Sequence, residues 1–219
     1  MSSLPVMFGT AFIIGLSGAM MPGPVLVATI NRSARMGFKA GPLVALGHAI
    51  IEAALVTAII FGLGTALEKP SIVNPILLFG GFMLVFMGGQ ILNELRLGKV
   101  ALPRGPDHTQ EVKEESAFRP VIDGIITSAS NPYWMVWWAT IGLALIYKAS
   151  ELGSLGIPTF YSGHILSDLA WFSLVSAGIA VGTRYMSDLL YRLLLGGCSL
   201  FLIGLGLMFA SQGISGLIP

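Results

Sequence analysis

Six apolar stretches, at positions 6–30, 41–67, 72–92, 121–147, 156–182 and 189–210, each run for more than 20 residues with at most one charged side chain. A helix needs about 20 such residues to cross the hydrocarbon of a bilayer. A membrane β-barrel would instead show apolar and polar residues alternating over segments of about 10. The expectation is an all-α integral membrane protein with six transmembrane helices. Composition agrees, because 54% hydrophobic and only 11% charged residues cannot cover a fold in water. The 28 glycines suit membrane helices, whose backbones approach closely where side chains are small.

Charge concentrates between the third and fourth stretches, where Glu94, Arg96, Lys99, Arg104, Asp107, Lys113, Glu114 and Glu115 lie. The chain therefore divides into a three-helix unit at 1–93, a charged linker at 94–120 and a second three-helix unit at 121–219. Assigning Lys and Arg to alternate connections places ten on one side and two on the other. The positive-inside rule then puts the linker in the cytoplasm of a plasma (inner) membrane and both termini outside. No Lys or Arg precedes Arg32, so the first stretch is expected to be a true span and not a secretory signal. The single Cys198 excludes a disulfide framework and any thiol relay needing one cysteine per half. Acids interspersed among the linker's basic residues make nucleic acid an unsuitable partner.

Two of the apolar stretches carry the same pattern, Gly-His-x-x-x-acid, at Gly47, His48 and Glu52 and again at Gly163, His164 and Asp168. A carboxylate in hydrocarbon costs about 2.5 to 3.5 kcal/mol on insertion scales, so its appearance twice at equivalent places marks a functional site. The offset of 116 that superposes these motifs also carries Leu77-Leu78-Phe79-Gly80-Gly81 onto Leu193-Leu194-Leu195-Gly196-Gly197 and Gly88 onto Gly204. For the first helix the offset becomes 110, aligning 17–22 with 127–132. Halves of three spans each must cross the bilayer in opposite senses, the inverted repeat of many secondary transporters, whose sites lie near the midplane.

Helices one and four carry a second shared feature. Pro22, Gly23 and Pro24 in the first and Asn131 and Pro132 in the fourth remove backbone donors and clash with the preceding turn, so both helices should break. Broken backbone at that depth is tolerated where it is buried or lines a wet cavity. Its freed carbonyls suit an ammonium, and the positive end of a restarted helix suits a carboxylate.

The stretch Gly18-Ala19-Met20-Met21-Pro22-Gly23-Pro24 resembles the Pro-Gly-Pro signature near the end of the first helix in LysE-type amino-acid exporters, the family of the lysine and homoserine/threonine exporters. The length, the six spans, the charged central loop and Asn131-Pro132 are similar too. Members commonly show Asn-Pro-Lys at the second motif; here Tyr133 puts a phenol where they have a fixed positive charge. The resemblance implies export of an amino acid or similar small polar solute, driven by the proton gradient, with no cofactor.

His48 and Glu52 share a helix face, as do His164 and Asp168, and each acid falls about halfway along its helix. The four are expected to couple transport to protons: the carboxylates form a central proton or amine site, and each His serves the face nearer to it. Pro22, Gly23, Pro24, Asn131, Pro132 and Trp134 are the expected substrate contacts. Either His could instead lock helix packing by bonding its own acid. Trp134, Trp137 and Trp138 are most simply an interfacial belt, the rival being that Trp134 or Trp138 covers a bound ammonium. Arg119, Asp123 and Asn31 are expected at the cytoplasmic mouth, as solvated residues or as an inner gate.

Two other functions stay open at this point: export of a divalent metal through the two histidines and two acids, and a non-transporting membrane scaffold. A serine-protease reading fails, since Ser128-Ala129-Ser130 is not a Gly-x-Ser-Gly nucleophile motif. The expected partners are the solute, protons and membrane lipid. A homo-oligomer is possible through Gly80-Gly81, Gly88-Gly89 and Gly196-Gly197.

Overall fold

The computed structural model describes residues 3–67, 69–99, 116, 118–182 and 187–217. Among these every regular element is helical. Arg104, Asp107, Lys113, Glu114 and Glu115 of the linker, and Arg184, lie outside the described residues.

The first apolar stretch is two helices, α1 (Leu4–Ala19) and α2 (Pro24–Met36). Met21 and Gly23 each precede a proline, which disfavours helical backbone, and Gly23 is extended at φ −145° and ψ 178°. Pro24 then opens α2 at the position where a missing N–H costs nothing. Gly37, at φ 70°, ends α2 in a left-handed conformation, and one tight turn at Gly37–Lys39 leads into α3 (Ala40–Ala58). A widened turn at Ile59–Leu63, with Gly62 at φ 116°, connects α3 to the short α4 (Gly64–Leu67). The single helix α5 (Pro70–Arg96) completes the first half.

The fourth stretch is also divided, into α6 (Phe118–Ala129), α7 (Pro132–Trp137), a widened turn at Trp138–Gly142 and α8 (Leu143–Ser150). The long helices α9 (Gly156–Gly182) and α10 (Asp188–Leu217) follow. Four helical stretches, Pro24–Ala66, Pro70–Arg96, Gly156–Gly182 and Asp188–Leu217, are long and apolar enough to cross a membrane, and α1 is a shorter apolar helix. Their outer faces expose large apolar side chains such as Phe61 (85%), Phe79 (73%) and Leu174 (64%). Apolar surface on that scale is stable against lipid tails and not against water. The molecule is a multi-pass helical membrane protein.

Helix α9 packs on α1, α2 and α3; α6 packs on α3 and α2; α5 pairs with α10. Small residues set these approaches. A Cβ on Gly47 would collide with the Val121 carbonyl of α6, one on Gly163 with the Phe8 carbonyl of α1, and one on Gly124 with the Val44 carbonyl. The glycine of each Gly-His motif is thus the seat for a neighbouring backbone. Gly81 and Gly206 play that part between α5 and α10, and Gly88 meets the Ser199 carbonyl. Gly89, Gly197 and Gly204 face open space.

Candidate functional site

Where α3 and α9 cross, the two motifs merge into one cluster. Glu52 is 1% exposed, Asp168 2%, His164 4% and His48 7%. His48 Nε2 stands 3.1 Å from Glu52 Oε1 and 3.9 Å from Asp168 Oδ2. His164 Nε2 lies 3.3 Å from Glu52 and 3.6 Å from Asp168. Each His therefore reaches the acid of the other motif as well as its own. The helical spacing of four makes the partners within a motif neighbours, and the crossing, where Gly41 of α3 seats the Phe172 carbonyl of α9, joins the motifs.

Glu52 is further held by α7 and the widened turn after it. The indole N–H groups of Trp134 and Trp138 both donate to Glu52 Oε1, each at 2.9 Å. This corrects the expectation of an interfacial belt: Trp134, Trp137 and Trp138 are 8%, 5% and 0% exposed. An indole N–H buried away from water needs an acceptor, and here a buried carboxylate supplies one to two of the three. Trp137 instead packs over Gly18 and stacks on the His164 ring, with centroids 4.7 Å apart. Phe160 stacks on His164 too.

Ser128, on α6, was not singled out by the sequence. It lies 2.6 Å from His48 Nδ1, while its own hydroxyl donates to the Gly124 carbonyl. The sequence signal was its place in the segment aligned with the Pro22 break, but serine is common enough in membrane helices to carry no weight alone. Tyr161 donates to the Ala49 carbonyl at 2.6 Å, tying α9 to α3 beside the cluster. Three buried polar atoms of the cluster have no hydrogen-bond partner: Glu52 Oε2, Asp168 Oδ2 and His164 Nδ1.

His48, Glu52, His164 and Asp168 line a central cavity of about 50 Å³ together with both backbone breaks. Gly23, Val25 and Leu26 reach it from the first break, and Asn131, Tyr133 and Trp134 from the second. The breaks face each other, for a Cβ on Gly23 would stand 3.4 Å from the Asn131 side-chain nitrogen. They differ in capping. Asn131 accepts the Tyr133 N–H through its own side chain, whereas Gly23 offers α2 no side-chain cap. The first N–H groups of α2 are left to other acceptors, as a helix start leaves them. Pro24 lines a neighbouring cavity, Pro22 lines neither, and Pro132 opens α7.

That neighbouring cavity is a vestibule of about 610 Å³, reaching from Pro24, Thr127 and Leu202 to a charged rim of Arg35, Glu94, Lys99 and Arg119. On its wall Arg32 pairs with Asp123 at 2.5 Å, linking α2 to α6. Asn31 accepts the Tyr191 hydroxyl at 2.7 Å. Asp123 and Asn31 are therefore bonded parts of the wall.

His48, Glu52 and Asp168 can bring one atom each within 4.8 Å of one another. Glu52 Oε1 already accepts two indole hydrogens, which leaves Oε2 as the Glu52 atom open to a further ligand.

A family model described as LysE type translocator matches residues 16–213. The chain is 25% identical over 213 residues to the Bacillus subtilis (strain 168) protein named "Putative amino acid efflux protein YcgF", covering 96% of this chain and 98% of that one. It is 27% identical over 200 residues to the Pseudomonas aeruginosa "Chemotactic transduction protein ChpE", covering 90% and 94%. No solved structure matches it. A match across nearly the whole length, on a helical membrane fold, establishes that the chain belongs to the LysE type translocator family.

Proposed function

We propose that this protein is a secondary exporter of amino acids or related small polar solutes, coupled to protons across the plasma (inner) membrane. The observation that carries the reading is the convergence of both backbone breaks and both His–acid pairs on one buried cavity. A zwitterion has matching ends for that cavity: its ammonium for the carboxylates, and its carboxylate for the uncapped start of α2 beside Val25 and Leu26. At about 50 Å³ the cavity holds about three or four waters, so a solute enters as the surrounding helices part. The efflux name carried by the Bacillus relative supports the same class of cargo.

Six crossings arranged as two inverted halves make such parting possible. In support, α1 lies on α9 as α6 lies on α3, and α5 pairs with α10, contacts that exchanging the halves preserves, although the packing of α2 on α9 and α6 has no counterpart from α7. The glycine of each Gly-His motif seats the first helix of the other half. The more basic connections and the vestibule then face the cytoplasm.

The test is flux in liposomes holding the purified protein, using a panel of labelled amino acids and divalent metals with and without a pH gradient. Gradient-driven amino-acid flux that Glu52→Gln abolishes is the expected result. Metal flux without amino-acid flux would transfer the site to a metal cargo, and no flux of either kind would leave a scaffold.

A further inference from the structure

The two acids at the centre are not equivalent, although the repeat places them alike. Glu52 Oε1 accepts from Trp134 and Trp138, and an indole N–H can only donate. The serine hydroxyl beside His48 spends its one hydrogen on the Gly124 carbonyl, so its oxygen accepts from His48 Nδ1, which must carry a hydrogen. The other nitrogen, Nε2, faces Glu52 Oε1 at 3.1 Å, and that contact is attractive only if Nε2 carries one too. His48 is then an imidazolium paired with an ionised Glu52.

His164 has a different set of neighbours. Its Nδ1 is buried without a partner. A bare lone pair there is tolerable, whereas a bare N–H on a charged ring is not. His164 is accordingly neutral, donating from Nε2 toward Glu52 at 3.3 Å.

Asp168 remains. Among the described residues no indole N–H bonds it, its Oδ2, like Glu52 Oε2, has no hydrogen-bond partner, and the nearest imidazole nitrogens, of His164 and His48, stand at 3.6 Å and 3.9 Å. The ionisable groups around it are Glu52 and His48 from α3 and His164 from α9, with the Tyr161 hydroxyl committed to Ala49. With Glu52 and His48 cancelling and His164 neutral, the cluster carries one net negative charge, located on Asp168.

We propose that Asp168 is the exchange site of this cluster, a monovalent-cation subsite taking either one proton or one primary ammonium, while Glu52 is a fixed anion that never gives up its charge. This rests on the exporter reading for the ammonium but not for the proton. Either occupant neutralises the cluster and both cannot be held together, which makes the exchange one proton for one ammonium. A divalent cation would leave an uncompensated positive charge in a low-dielectric site.

Infrared difference spectroscopy tests the assignment without any transported solute. Reconstituted wild type, Glu52→Gln and Asp168→Asn are compared between acidic and neutral buffer in the C=O stretching region of protonated carboxyls. The expected result is one band in the wild type, lost in Asp168→Asn, restored at a shifted frequency in Asp168→Glu, and in Glu52→Gln kept at its frequency but appearing only in more acidic buffer, because the uncancelled His48 imidazolium then faces Asp168. The restoration guards against a variant that merely misfolds. A band lost in Glu52→Gln but kept in Asp168→Asn, a band shared between the two acids, or no cluster band in the wild type would each overturn it. An Asp168 band without amino-acid flux would uphold the exchange site and sink the exporter reading, whereas flux with a Glu52 band would do the reverse.

Discussion

A buried carboxylate with two indole donors on one oxygen is an expensive arrangement to build, and its energetics are open to measurement one hydrogen at a time. Trp→Phe keeps most of the ring and removes only the N–H. Hydrogen bonds to a charged group are worth about 1.5 to 3 kcal/mol, so Trp134→Phe and Trp138→Phe should each lower the thermal midpoint in detergent. The double variant, leaving Glu52 to the imidazoles, should be disabled in flux by about tenfold or more. Unchanged melting and flux in the double variant would mean that the indoles only fill space. At this scale the sequence was readable where chemistry clashed with surroundings: His48, Glu52, His164 and Asp168 stand out because ionisable groups do not belong in apolar runs. Tryptophan gives no such clash, since its amphipathic ring suits a membrane interface and a buried polar site equally. Ser128 gives none either, because a hydroxyl in a membrane helix commonly bonds its own backbone.

Among the helices, proline and glycine were the informative letters, though unequally so. Pro22, Pro24 and Pro132 announced both breaks, although a missing N–H does not break every helix, since Pro75 sits inside the unbroken α5. The widened turns at Ile59–Leu63 and Trp138–Gly142 were not announced. No proline marks them, and the second aims Trp138 at Glu52, a purpose visible only in three dimensions. The glycines that seat backbones could not be told from those facing open space, such as Gly89 and Gly197, since both kinds sit in equally apolar sequence. The seating glycines yield a paired prediction. Gly47→Val and Gly163→Val each push a Cβ into a carbonyl of another helix, and overpacking of this kind typically costs about 1 to 3 kcal/mol. Both should lower thermal stability and displace their neighbouring His, while Gly89→Val should do neither. Equal behaviour of all three in a melting assay would remove the seating role.

For the molecule as a whole, Lys and Arg placement speaks to orientation but not to how the helices pack, and the packing of α9 between α1 and α3 had no signature in the chain. Orientation is testable because the lone cysteine is buried and can be dispensed with. In a Cys198→Ser background, an impermeant thiol reagent applied to intact cells should label Lys69→Cys and Glu151→Cys, and should reach Arg35→Cys and Arg119→Cys only after permeabilisation. The opposite pattern would invert the assignment. Either way, the wide vestibule ending at Pro24 has an electrical meaning. Water carries the potential of its own compartment inward, so the membrane voltage does not fall evenly across the protein. The layer packed with Trp134, Trp137, Trp138 and Phe160 has no such wide water path of its own among the described cavities, and the field should be steepest there. One charge crossing the full field gains about 2.3 kcal/mol per 100 mV. If Asp168 exchanges cations as proposed, the step that carries one past the tryptophans is therefore the voltage-dependent one.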